Sequence, residues 1–458
     1  MFNESSSIAP SVERFGNVEV LFYLAKSLIS KDTSREHLTN IANAYPINER
    51  MIALPDLHFK VKNFVPSGMT IPIRGGFTPL LLGPNNDGIG SVKIRLSKPL
   101  SASDIDTIFE SLKARVVMFR RDEDLVSTDT LANILQGNVE GWIEQTGFDP
   151  SVLNRFEDQG VHKTFSNLND VLSLFPERRP ERLPAFVPGH NPMERGPRTL
   201  GVLDGTSHFI ELFSLKECVD QVSCTQLDMK SNDLMFMVHA GSGDIGLITH
   251  RSYLLPFGEL YSEGTQDFQN AYDAFAVTAN YGFANRLFLY AMIRDALQES
   301  LGSKLLEFQI ISDLPHDYLQ KQDGIYLHRK GATRLLSKNY FPNDDALKHT
   351  GLPYLFPSRM GGDAYLINHP EGQSNSFETV SHGAGRLLSK TDAVEQFTAE
   401  SAMEAVGHAT KIFRYGQDEI GGQHPSAFKD MNTVMEILQE YDLARTIARF
   451  ESVAALKA

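Results

Sequence analysis

The segment Ser381-His-Gly-Ala-Gly-Arg386 surrounds one imidazole with bare backbone. Gly383 and Gly385 carry no side chain, so phosphate oxygens have room to approach the chain closely. Arg386, four positions after His382, supplies a fixed positive charge. A nucleophilic imidazole attacking phosphorus needs this set: a nitrogen lone pair, open backbone, and a cation for the developing charge. A histidine can hold a nucleotidyl group as a phosphoramidate when a metal neutralises the triphosphate. Taken alone, the same residues read more readily as a tight turn with incidental glycines.

Three further histidines stand outside regular helix faces. His208 lies in Gly205-Thr-Ser-His-Phe209, and His239 closes an apolar run in Met237-Val-His-Ala-Gly-Ser-Gly243. His316 follows a strand-like run in Ile311-Ser-Asp-Leu-Pro-His-Asp317. The Gly-rich turn Gly83-Pro-Asn-Asn-Asp-Gly-Ile-Gly90 adds the carboxylate of Asp87. Neutral imidazoles with one carboxylate suit a borderline transition metal such as Mn²⁺ or Zn²⁺. Their wide separation along the chain forms no local metal motif.

The chain has 458 residues, with 57 acids against 43 bases and a formal net charge of −14. A whole-protein basic field for gripping nucleic acid is therefore absent, which leaves a local basic groove as the route to phosphate binding. Cys218 and Cys224 form neither a disulfide framework nor a zinc ribbon and read as small apolar side chains. Residues 1–10 are polar without an apolar signal core, and no run approaches the ~20 apolar residues that span a bilayer. A reducing, cytoplasmic setting is expected.

Residues 101–116 read as a capped amphipathic helix, with Ile105, Ile108, Phe109 and Leu112 on one face. A longer helical pattern runs over 267–303, with Gly282 marking a close packing point or a bend. Leu234–His239, Val116–Phe119 and Phe308–Ser312 read as strands. Six prolines and five arginines punctuate 176–198, which predicts a long ordered loop rather than a helix or central strand. Its arginines either contact phosphates or balance Glu177, Glu181 and Glu194 in a solvated connector. Helical and strand-like pieces alternate throughout, so one intertwined α+β unit over 1–458 is expected.

Over almost its whole length the chain resembles the RtcB RNA-splicing ligases. The matching blocks fall in the family's order: Leu54-Pro-Asp-Leu-His58, Gly83–Lys93, Thr199-Leu-Gly201, His208-Phe-Ile-Glu211 and Val238-His-Ala-Gly-Ser242. They continue through Tyr281–Arg286, His328-Arg-Lys-Gly-Ala-Thr333, Pro357–Tyr365, Ser376-Phe377, His382–Arg386 and Ala427-Phe-Lys-Asp430, and close on Lys457-Ala458. The resemblance implies a GTP- and Mn²⁺-dependent ligase joining RNA 3′-phosphate or 2′,3′-cyclic phosphate ends to 5′-hydroxyl ends. An archease-like activator is part of the same expectation, as is work in tRNA splicing or RNA repair. By position, His382 resembles the guanylylated histidine, and Asp87, His208, His239 and His316 resemble the ligands of two Mn²⁺ ions. Glu211 and Lys457 resemble guanine contacts, Phe209 and Phe428 line the nucleotide pocket, and Arg386 contacts phosphate. Ala384, Gly385, Asp317 and Arg359 complete the expected nucleotide site.

The departures from the family pattern gather in that site. Gly90 stands where the family has a cysteine thiolate bridging both ions, and neighbouring Ser91 is a poor substitute. Ser207 and Asp317 replace asparagines, Gly243 replaces an arginine, and Arg359 and Ala364 replace two nucleotide-binding serines. Asp204, Asp244, Asp317 and Asp363 adjoin the altered motifs, and Asp317 is the leading candidate to restore the lost negative charge. Three readings stand: an active ligase, a relative with altered nucleotide or metal use, and a non-catalytic binder of RNA ends.

Overall fold

A computed structural model of the chain describes residues 10–24, 33–58, 66–175, 191–205, 207–370, 376–416 and 420–457. The two helices legible in the sequence both form. Ser101 caps helix α1 (Ala102–Arg115) by accepting from the Asp104 amide while Asp104 accepts from the Ser101 amide, and Ile108, Phe109 and Leu112 are buried. Thr265 caps helix α2 (Gln266–Leu301), the central support of the molecule. Gly282 is a packing point: a Cβ there would lie 2.8 Å from the Asn86 carbonyl oxygen.

Fifteen strands place the site. They are β1 (Ser11–Phe15), β2 (Val18–Phe22), β3 (Met51–His58), β4 (Ser67–Arg74), β5 (Asp87–Leu96), β6 (Phe209–Cys218), β7 (Leu234–Ala240) and β8 (Leu305–Gln322). Then follow β9 (Ile325–Lys330), β10 (Ala332–Arg334), β11 (Tyr354–Phe356), β12 (Ala364–Asn368), β13 (Thr379–Ser381), β14 (Lys411–Arg414) and β15 (Arg445–Lys457). Thirteen of them form one sheet in the order β1-β2-β3-β4-β9-β8-β5-β7-β6-β15-β12-β11, with β14 beside β15. Most pairs are antiparallel, while β2–β3 and β14–β15 are parallel. β10 pairs with β13 apart from this sheet. The mixed sheet with packed helices is the expected α+β architecture.

Strand alternation divides the sheet into two faces. Val92, Ile94, Ile210, Leu212, Phe236 and Val238 pack against α1 and α2, whereas Ile89, Phe209, Phe213, Met235 and Met237 join a second core on the opposite face. The predicted strand 308–312 is part of the much longer β8, and the one at 116–119 shrinks to a two-residue bridge, Val117–Met118.

Residues 176–190 of the Pro/Arg-rich segment lie outside the described residues. Its remainder departs from the expected loop. Asn191 caps a single α-helical turn, Pro192–Arg195, with Pro192 at the position where proline's fixed φ fits a helix start. A 3₁₀ turn, Gly196–Arg198, follows. Arg195 pairs with Asp244 and Arg198 with Asp124, so acids outside the segment, not Glu194, meet these two arginines. No helix among the described residues is long and apolar enough to cross a membrane.

Candidate functional site

The sheet order β8-β5-β7-β6 brings one end of four strands together. Asp87 opens β5, His239 lies near the end of β7, His316 lies within β8, and His208 precedes β6. The Asp87 carboxylate lies 3.2 Å from His208 Nε2, 3.3 Å from His239 Nε2 and 3.8 Å from His316 Nε2. Asp204 accepts from His208 Nδ1 at 2.8 Å, which turns Nε2 toward Asp87. Backbone amides of Gly241 and Gly243 donate to the same Asp204 carboxylate and fix it.

Burial opposes charge on His208, yet the carboxylates of Asp87 and Asp204 outweigh it and push its pKa up to about 10. Burial holds His239 below the usual histidine range and His316 well below it, which favours the neutral imidazole that a metal site requires. Asp87 Oδ1, His239 Nε2 and His316 Nδ1 are buried without a hydrogen-bond partner. Orphaned buried donors and acceptors are costly unless something satisfies them. A cation between Asp87, His208 and His239, whose ligand atoms all lie within 4.8 Å of one another, would satisfy Asp87 Oδ1 and His239 Nε2, though not His316 Nδ1.

The imidazoles continue in a row: ring centroids are 4.7 Å apart for His208–His239, 5.0 Å for His239–His316 and 4.9 Å for His316–His382. His382 therefore sits beside the candidate metal centre. Its Nδ1 contacts Asp56 Oδ2 at 2.5 Å and the Gly331 carbonyl oxygen at 3.1 Å. Asp56 is sealed from solvent, while the His382 side chain is 21% exposed, so the buried carboxylate presents the ring to the cleft. Gly331 ends the segment His328–Gly331 with φ +61°, and Gly385 has φ +76°. A Cβ at Gly385 would lie 2.6 Å from the Asp56 backbone oxygen. The two glycine motifs and the β3 aspartate thus lock together around one ring. Gly385→Ala is expected to cost about 1–3 kcal/mol from the left-handed backbone alone, with the clash adding to it, and thermal unfolding measures this.

Sequence reasoning missed Asp56, because an isolated aspartate in an apolar strand carries no pattern. It also missed Lys429, whose buried ammonium donates to the Pro55 and Leu57 carbonyls at 2.8 and 2.7 Å and so grips the strand on both sides of Asp56. Burial, opposed by Asp56, lowers the Lys429 pKa to about 8.

One pocket is lined by Asp87, His239, His316 and His382 together with Phe209, Glu211, Arg386, Phe428 and Lys457, and Phe209 packs edge-on against His239 at 5.4 Å. Asp317, Arg359, Ala384 and Gly385 also line it; His208 lies just behind the lining at 6% exposure. Lys457 Nζ sits 3.8 Å over the Phe209 ring and 3.9 Å from Glu211 Oε2. Burial pushes the Glu211 carboxyl up and the Lys457 ammonium down. Arg386 stacks 4.6 Å over Phe428 and donates to the Leu388 and Gly422 carbonyls, and burial lowers its pKa to about 10. Ser358 Oγ and Gln423 Nε2, both unpartnered and buried, belong to the same lining and were not singled out from sequence.

The family pattern described as tRNA-splicing ligase RtcB matches residues 37–458. The chain belongs to the RtcB family. It is 24% identical to the tRNA-splicing ligase RtcB of Methanococcus maripaludis over 92% of this chain and 91% of that protein. Identity is 23% with the Nanoarchaeum equitans protein of the same name, over 96% and 95% of the two chains. The RNA-splicing ligase RtcB of Mycobacterium tuberculosis is 26% identical over 92% of this chain and 99% of its own length.

Against the RtcB pattern, the four neighbouring acids are all engaged. Asp317 pairs with Lys330 and accepts from the Gly331 amide. Asp363 pairs with Arg449 and Lys216, Asp244 with Arg195, and Asp204 orients His208. Asp317, the leading sequence candidate for a replacement ligand, has its charge met by a lysine ammonium. Asp204 is the acid that touches the histidine row.

Proposed function

We propose that this RtcB-family chain is an RNA ligase, with residues 1–458 acting as one ligase domain. It joins RNA 3′-phosphate or 2′,3′-cyclic phosphate ends to 5′-hydroxyl ends, with GTP as nucleotide substrate and His382 as the guanylylated residue. The observation that carries this reading is the Asp56–His382 contact at the mouth of a pocket shared with Asp87, His239 and His316. Asp56 accepts the Nδ1 proton, so the lone pair of the neutral ring resides on Nε2, the nitrogen that attacks the α-phosphorus as pyrophosphate leaves. Asp87, His208 and His239 would hold the divalent cation, with His316 beside them, and Mn²⁺ there supplies Lewis-acid neutralisation of phosphate charge. Phe209, Phe428, Glu211 and Lys457 are suited to an aromatic, hydrogen-bonding base site, and Arg386 to phosphate oxygens. The overall negative charge confines RNA contact to this local cleft. RNA ends and an archease-like activator are the proposed partners.

Incubation with α-³²P-labelled GTP and MnCl₂ is expected to label the protein with an acid-labile adduct, and chase with RNA bearing a 3′-phosphate and a 5′-hydroxyl consumes it. Labelling by ATP alone would replace GTP with another nucleotide. Absence of any adduct would leave the RNA-end-binding reading. Asp56→Asn presents an amide that donates to Nδ1 and moves the lone pair away from Nε2. Adduct formation in single turnover is expected to fall by about 10²–10⁴-fold, with nucleotide affinity retained.

A further inference from the structure

The histidine row holds one carboxylate with two oxygens, Asp87, against imidazole nitrogens. We infer that this chain binds a single divalent cation, at Asp87, His208 and His239 with His316 at its edge, rather than a bridged pair. The inference rests on the metal-site part of the proposed function and is independent of the ligase chemistry.

Geometry and charge lead to the same count. Donors bound to one ion at about 2.0–2.2 Å lie about 3–4 Å apart, and the Asp87 contacts of 3.2, 3.3 and 3.8 Å match that spacing. A second ion held at close range needs an additional anion between the two. Among the described residues, the carboxylates that approach the row are already engaged. Asp204 is held by His208 and two amides, Asp317 by Lys330 and an amide, and Glu211 by Ser452; Asp56 holds His382 through Oδ2, while its unpartnered Oδ1 lies against Gly68.

Residue 90 is not an opening for that anion. Gly88 and Gly90 point toward α2: a Cβ at Gly88 would meet Arg286 Cζ at 3.0 Å, and one at Gly90 would overlap the Tyr290 hydroxyl, 2.6 Å from its Cζ. Tyr290 donates in turn to Asp313 at 2.5 Å. Adjacent Ser91 is hydrogen-bonded to Ser312 at 3.0 Å and is sealed from solvent. Position 90 is therefore part of the sheet–helix packing, and Tyr290 occupies the volume that a side chain would need. A donor set dominated by imidazole favours Mn²⁺ or Zn²⁺ over Mg²⁺, which prefers oxygen ligands.

The test is metal stoichiometry on chelator-stripped full-length protein without nucleotide, by equilibrium dialysis against MnCl₂ and by electron paramagnetic resonance. The expected result is one Mn²⁺ per chain with the hyperfine sextet of an isolated ion, displaced by Zn²⁺ and not by a comparable concentration of Mg²⁺. Asp204→Asn, which releases His208, is expected to weaken binding by about 10–100-fold. Gly90→Cys is expected to lower the melting temperature without adding an ion. Two ions with an exchange-coupled spectrum, no ion, or one ion that survives in Asp87→Asn/His239→Ala each overturn the inference. So does a Gly90→Cys protein that gains a second ion at unchanged stability. The adduct assay reads the ligase proposal separately, so a chain that forms no adduct and binds one ion loses that proposal and keeps this one.

Discussion

His382→Ala is expected to abolish the nucleotide–protein adduct and RNA joining completely while leaving the fold intact. No other imidazole in the row can take its place. His208 Nε2 and His239 Nε2 face the Asp87 carboxylate, and His316 Nε2 lies 3.8 Å from it. His382 alone has its Nδ1 held by a sealed carboxylate while the ring reaches the cleft. Truncation removes a partly exposed ring but leaves the sealed Asp56 carboxylate without its Nδ1 partner, at a cost of about 1–3 kcal/mol. The variant should retain wild-type Mn²⁺ stoichiometry and a cooperative unfolding transition at a moderately lower melting temperature. An adduct that persists in His382→Ala would place the nucleophile elsewhere and sink the assignment. Peptide mapping of the labelled wild-type protein supplies the positive half of the test, with the label expected on the peptide that contains His382.

The largest stability effect is expected at Arg286. Its guanidinium is fully buried and pairs with equally buried Asp313 at 2.6 Å. It also donates to the carbonyls of Asn86 and Ala240 and to the Asn86 side chain. Asn86 immediately precedes Asp87 and Ala240 immediately follows His239, so one side chain on α2 braces the backbone beside two candidate metal ligands. Removing one partner of a buried ion pair strands the other charge and typically costs about 3–5 kcal/mol. Arg286→Met is expected to lose at least that much in urea denaturation, because two backbone acceptors are orphaned as well. Asp313→Leu added to Arg286→Met should restore part of the stability, since no unpaired charge then remains. Mn²⁺ affinity should not return with it, because the braces at Asn86 and Ala240 stay missing. Full recovery of both quantities would assign Arg286 a purely electrostatic role.

The readable parts of the chain were those whose chemistry is local. α1 and α2 follow from apolar spacing, and α1 also from its capped start at Ser101, and the glycines around His382 announce an unusual backbone before any fold is known. From the residues alone, Asp87, His208, His239 and His316 were legible as four separate contexts and only the family resemblance joined them, because the sheet order that assembles them is a tertiary fact. Asp56 and Lys429 could not be read for the same reason: each acts across the fold, on a strand or ring distant in sequence. The Pro192 turn was hidden by its prolines, which exclude helix interiors and permit first turns. The direction of residue 90 needed the strand register, since a one-residue change of register reverses the face that a side chain occupies.

β15 carries Lys457 to the pocket as a strand inserted between β6 and β12, while Asp56, on β3 in the first sixty residues, lies behind His382, which lines the same pocket. During synthesis the amino-terminal strands emerge first, and the pairing surface on β6 stays without β15 until residues 445–457 have followed. The pocket, from the ring-holding aspartate to the lysine beside Phe209, is completed only by contacts of very long sequence separation. Such topologies fold slowly. A chain that ends before β15 therefore lacks Lys457 beside Phe209 and Glu211, and the candidate pocket stays open on that side.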